Sequence, residues 1–214
     1  KLLFPNEKLS NDKMKQYRLL LTQLRNHIRV VESQMAHNKW EEIDYSKVPA
    51  KSHHLHTAAF KRHDLERYTQ YLNDLKNCKT KIKSTGLHPH MLIEPFINSY
   101  KPPENKETLV SQWKDLIEKL RKNTKLHSVL PLCDVSFSMN GQPLNVCIAL
   151  GLVIAELVTG PFKNMILTFE SKPQLIQLKT TDLYERVKEL KNSPWEGSTN
   201  LDAALDAILN SAIT

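Results

Sequence analysis

Met14, Tyr17, Leu21, Leu24, Ile28, Val31 and Met35 recur at alternating steps of three and four, which places them on one face of a helix sustained over three heptads. The spacing predicts one long amphipathic helix. A second helix is expected over 55–79, with Leu65, Tyr68, Leu72 and Leu75 as its clearest apolar positions and Gly86 as a later stop signal. Residues 40–49 read as an irregular connector with apolar residues of its own. Pro89 suits the first turn of a third helix that Pro95 would kink or end, and K-P-P-E-N at 101–105 reads as a linker. Leu109, Trp113, Leu116 and Leu120 mark a fourth helix, so the region up to residue 127 is expected to be all-α.

The period then changes. S-V-L-P-L-C-D at 128–134 has the length and bounds of a buried strand, although Pro131 is awkward in the middle of one. Residues 146–158 are apolar nearly all round, with Glu156 the only charge, as expected of a helix buried between other elements. Thr159-Gly160-Pro161 should stop it, the glycine taking the left-handed cap. Further strands are expected at 165–169 and 175–178, a helix at 182–190, a turn-rich loop at 192–200, and a last helix opened by Leu201, Leu205, Ile208 and Leu209. This is an α/β pattern, a sheet covered by helices on both faces.

At 214 residues, 40% hydrophobic and 25% charged, the chain has the composition of a globular protein with one large or two small domains. The longest uncharged apolar run, 144–155, falls short of the roughly 20 residues a spanning helix needs, so no membrane partner is expected. Three cysteines without a C-x-x-C pair favour reduced thiols and an intracellular, cytoplasmic setting. The sequence opens at Lys1 with neither a methionine nor a basic-then-apolar leader, which suggests a lost start or a piece of something longer. Charge is uneven: residues 131–214 carry six basic against nine acidic side chains, the rest 24 against 14, and all nine histidines precede residue 131. The expected division is a basic helical region at 1–127 and an α/β unit from 128 to 214.

Lys15, Arg18, Arg25 and Arg29 follow the apolar rhythm one position on, a basic stripe about 100° round the helix that could track a phosphate backbone or simply be solvated. His53, His54, His56 and His63 invite a metal reading, but without H-E-x-x-H or a ligand-spaced carboxylate they read better as partly exposed histidines at a helix start. Asp134, Ser136 and Ser138 stand where the first strand ends and before the buried helix, the crevice in which α/β sheets bind ligands. Their hard oxygens suit Mg²⁺ or Mn²⁺, and Thr199 could bring another hydroxyl to the same rim. A serine nucleophile would need a base, and no histidine follows residue 127, so no enzyme is expected.

C-D-V-S-F-S-M, followed about 60 residues later by G-S-T-N-L-D-A-A-L, resembles the von Willebrand factor A domain. The resemblance implies a metal-ion-dependent adhesion site in which Asp134, Ser136, Ser138 and Thr199 surround Mg²⁺ or Mn²⁺. The family's remaining ligand, an aspartate after its fourth strand, and roughly half of its sheet would lie past Thr214, so 128–214 is the N-terminal portion of such a domain. Phe137 stands where the family usually has glycine. Together with N-K-W-E-E-I-D-Y-S-K-V-P, A-F-K-R-H-D and L-H-P-H, the chain is similar to a family of uncharacterised plant, fungal and giant-virus proteins in which a helical region precedes an A-like domain. In architecture it is also similar to Ro-type RNA-binding proteins. These resemblances imply a protein-interaction module whose bound ion captures a partner's exposed Asp or Glu. The alternative is a protein that binds RNA or another polyanion weakly through its basic region. A giant-virus origin would imply the cytoplasm or the virion.

Overall fold

A computed structural model describes residues 11–77, 79–84, 86–134, 136–192 and 200–213. Helices α1 (Asn11–His27) and α2 (Val31–Ala36) occupy the stretch expected to be one helix. Between them Arg29 adopts a left-handed conformation (φ +50°). The Val30 N–H bonds the Arg25 carbonyl at 3.2 Å and the Arg29 N–H bonds that of Asn26 at 3.3 Å. That is the Schellman ending of a helix, usually marked by Gly or Asn; an arginine in that place conceals the stop. α2 ends in the same way at Asn38 (φ +56°), a residue type that does announce it. In consequence α1 buries none of its residues and leaves Leu19, Leu20, Leu24 and Ile28 exposed, while Val31, beyond the turn, enters a core.

A 3₁₀ turn (Trp40–Glu42) leads into the connector, whose Ile43, Tyr45 and Val48 are buried. The second expected helix begins earlier and is cut in two, α3 (Ala50–His63) and α4 (Leu65–Lys76), at Asp64 (φ −146°, ψ 50°). The Asp64 carboxylate is committed to a tertiary bond from Tyr45 Oη at 2.7 Å and a local one from Arg67 Nη1 at 2.8 Å. Phe60, Tyr68, Tyr71 and Leu75 close over Tyr45 and Val31 to form an aromatic-rich core. His53 lies wholly inside it rather than partly exposed, its ring stacked on Tyr71 at 5.5 Å.

α5 (Pro89–Ile97) runs past Pro95 to end two residues later, and α6 (Lys106–Asn123) follows the linker. Leu92, Phe96, Leu109, Trp113 and Ile117 from these helices share one core with Ile148, Leu152, Ile166 and Val187. The principal core therefore draws on both sides of residue 127.

Extended structure starts earlier than expected. β1 (Leu126–His127) pairs in parallel with β3 (Val158–Thr159), and Ser128 (φ +57°) then turns the chain. The expected strand 128–134 is thus shortened to β2 (Leu132–Asp134). Pro131 precedes it, contributing only its carbonyl, which accepts the Leu167 N–H at 2.9 Å. From β2 the chain crosses through α7 (Gln142–Leu157) to β4 (Met165–Phe169), which runs parallel to β2 with Asp134 opposite Phe169. A parallel pair needs such a crossover. β5 (Leu175–Gln177) adds an antiparallel edge, giving the order β2-β4-β5. α7 buries Leu144, Ile148, Leu152 and Ala155 and ends at Leu157, because the chain passes straight into β3; Gly160 (φ +99°) shapes the following turn and is not the cap. α8 (Leu183–Lys191) is capped by Asp182, whose carboxylate accepts the Tyr184 and Glu185 N–H groups. α9 (Leu201–Ile213) packs on β4 with Ala204 buried and Leu201, Leu205 and Leu209 exposed.

Candidate functional site at the end of β2

Asp134 is the last residue of β2, and the strand's parallel neighbour holds it in place through the Phe169 pairing. Its Oδ1 accepts the Ser136 N–H at 2.9 Å, a local side-chain-to-backbone bond that bends the chain out of the strand. The Met139 N–H then bonds the Ser136 carbonyl at 2.9 Å, so 136–139 is a tight turn, with a 3₁₀ segment at Phe137–Met139. This turn brings the Ser136 and Ser138 hydroxyls to 3.0 Å from one another. Ser136 is 6% exposed and Ser138 is exposed, so the pair runs from the interior to the surface. Asp134, Ser136 and Ser138 are thus brought together; Thr199 lies outside the described residues.

The donor set suits a hard divalent cation. Octahedral ligand oxygens about 2.1 Å from Mg²⁺ lie about 3 Å from one another, and the two hydroxyls already have that separation at 3.0 Å. Among the described residues no three His, Cys, Asp or Glu side chains converge as a metal cluster, so any ion here would rest on hydroxyls and one carboxylate. Gly141 (φ +88°) closes the loop and opens α7, in a backbone region that side-chain-bearing residues rarely adopt.

Two features of this end of the sheet are not announced by the motif. Glu170 directly follows β4, the strand beside Asp134's, and is 1% exposed with its Oε1 accepting the Thr168 hydroxyl at 2.9 Å. An acid placed immediately after a buried strand, T-F-E, was the available signal. Behind Asp134, Cys133 faces α7, its thiol donating to the Cys147 carbonyl at 3.9 Å. The proximity of the two side chains, with burial, pushes the Cys133 thiol up, and the same proximity pulls Cys147 below the usual thiol range.

The other sequence candidates diverge. Lys15, Arg18 and Arg25 are exposed on α1, but Arg29 is beyond the helix and does not continue their stripe. The four histidines have separate partners: His53 Nε2 meets the Tyr45 carbonyl at 3.2 Å, His54 meets Asn105, His56 meets Glu32, and His63 stacks on Trp40 at 4.5 Å. Burial lowers the His53 pKa to about 4, against the opposing effect of the Tyr45 carbonyl.

Comparison with known proteins places this architecture among relatives. The domain of unknown function DUF7788 matches residues 128–214, the segment that holds the site. An uncharacterised protein of Acanthamoeba polyphaga mimivirus, L728, is 34% identical over 212 residues; the match covers 93% of this chain and 36% of that protein. The chain therefore spans about a third of the length of this curated relative. No solved structure matches. The helical region, residues 5–126, matches the domain of unknown function DUF2828, and the chain belongs to that family.

Proposed function

We propose that this protein is a binding module, not a catalyst, in which an A-like unit at 128–214 uses a divalent cation to capture an acidic group on a protein partner. The observation that carries this reading is the 3.0 Å approach of the Ser136 and Ser138 hydroxyls beside the Asp134 carboxylate at the end of a parallel strand. Asp134, Ser136 and Ser138 would hold Mg²⁺ or Mn²⁺, with Thr199 completing the set as the resemblance implies. A bound ion supplies a Lewis-acidic position that a partner's Asp or Glu can fill. The sheet supports the reading too, since a parallel β-α-β crossover with one antiparallel edge is a common form of doubly wound sheet.

The test is thermal unfolding of the chain with MgCl₂ or with a chelator. Saturating Mg²⁺ should raise the Tm by about 5–10 °C, as expected for ligand near 100 times its Kd. Asp134→Ala should ignore Mg²⁺, its unfolding temperature lying slightly below the parent's metal-free value because the Ser136 N–H loses its acceptor. An alanine variant that responds to Mg²⁺ as the parent does would refute the site.

A weaker second reading, polyanion contact through the basic helix, is favoured by the exposure of Lys15, Arg18 and Arg25 on a helix that buries none of its residues. Such contact should be indifferent to sequence and should fade steeply with salt.

A further inference from the structure

We infer that Cys133 and Cys147 form a redox pair, oxidised by hydroperoxides to a disulfide that ties β2 to α7. Cys133 is buried in the sheet face turned to α7, while Cys147, on that helix, is half-buried and open to a small oxidant. The Cys133 thiol donates to the Cys147 carbonyl oxygen at 3.9 Å, so the two cysteines abut. One helical turn on, Gly151 makes room for this sulfur: a Cβ there would stand 2.5 Å from Cys133 Sγ. The sulfur is thus seated directly against the helix backbone, beside Cys147 itself. The inference does not depend on the cation reading.

The chemistry balances with a peroxide as the sole oxidant. The Cys147 sulfur attacks one peroxide oxygen; an S–O bond forms, the O–O bond breaks, and the departing hydroxide leaves as water with the thiol proton. The Cys133 sulfur then attacks the sulfenic sulfur; the S–S bond forms, the S–O bond breaks, and a second water leaves with the Cys133 proton. The two sulfurs supply the two electrons that reduce the peroxide. The product is a covalent ring that encloses Asp134, Ser136, Ser138 and Gly141.

The experiment treats the chain carrying Cys78→Ser with stoichiometric hydrogen peroxide, followed by non-reducing digestion and mass spectrometry. The expected product lacks two hydrogens, has no titratable thiol, contains a Cys133–Cys147 linked peptide pair, and is restored by dithiothreitol. Cys133→Ala should instead accumulate a dimedone-reactive sulfenic acid at Cys147, and Cys147→Ser should leave Cys133 unmodified. Sulfinic acid at Cys147 without a cross-link, or both thiols intact at a peroxide dose that oxidises free glutathione, would overturn the inference. Sulfenic acid on Cys133 in the Cys147→Ser chain would overturn the assigned order of attack.

Discussion

The described residues form two hydrophobic cores of different make. The one around Tyr45, Phe60, Tyr68 and Tyr71 is aromatic and encloses an imidazole; the one between α5, α6, α7, α8 and the sheet is largely Leu, Ile, Val and Ala. The aromatic core leaves polar atoms stranded: His53 Nδ1 and Tyr71 Oη are buried without a hydrogen-bond partner among the described residues. Among the described residues the aliphatic core admits one charged pair and satisfies it. Arg186, 5% exposed, bonds Glu156 Oε1 at 2.9 Å, and Trp113 Nε1 donates to the same oxygen at 3.0 Å. Aromatic side chains fill space with few residues but bring polar atoms that rigid rings cannot always place, whereas an aliphatic interior can be arranged around one well-matched ion pair.

The largest expected effects come from damaging each core at its centre. Phe60→Ala and Glu156→Ala should each cost about 3–5 kcal/mol in urea unfolding, the first by a cavity and the second by leaving Arg186 buried and unpaired. Hydrogen exchange should show the first loosening 31–75 and the second 109–190; equal loosening everywhere would mean that the two cores behave as one. Next is a pH effect confined to the aromatic core. His53 titrates near 6.5 when unfolded and about 4 when folded, so the unfolded chain binds the extra proton between these values. Stability should therefore fall as pH drops from about 6.5 to 4, by at most about 3 kcal/mol, and level off below that. His53→Phe should flatten this slope; an unchanged slope would show that another group causes it.

Gly141→Ala should cost about 1–3 kcal/mol. Among the described residues no atom lies within 4 Å of the added methyl, so the expected cost is backbone strain, and a larger loss in calorimetry would contradict that origin. The smallest effect is Tyr71→Phe, which removes a stranded hydroxyl and should be neutral or stabilising by up to about 1 kcal/mol. Destabilisation by this change would reveal a partner for the phenol and weaken the contrast between the cores.

Elements set by long apolar periods were legible in the sequence. Met165–Phe169 is a strand with the expected bounds, and the buried helix around 146–158 is present as α7, four residues longer at its start. Breaks were not legible where the residue type hides its role. Arg29 performs a turn that glycine usually marks, and Asp64 interrupts a helical pattern because Tyr45, distant in sequence, and Arg67, one turn on, claim its carboxylate. At the candidate site, the approach of Ser136 to Ser138 follows from local turn chemistry and could be foreseen. Glu170 and the Cys133–Cys147 contact depend on the pairing of β2 with β4 and on the seating of α7, which no spacing along the chain encodes.

Glu156 also settles a matter that the apolar residues of α7 leave open. A helix that is greasy on nearly every side slides and spins among similar neighbours with little penalty, because one hydrophobic contact substitutes for another. A single carboxylate received by Trp113 and Arg186 removes that degeneracy: rotation by one residue, about 100°, would carry it away from both. The ion pair acts as a key in a slot, setting the phase of the cylinder. Since the Ser136–Gly141 loop leaves from the start of the same helix, a contact at one end of α7 sets the direction in which the hydroxyls at the other end are presented.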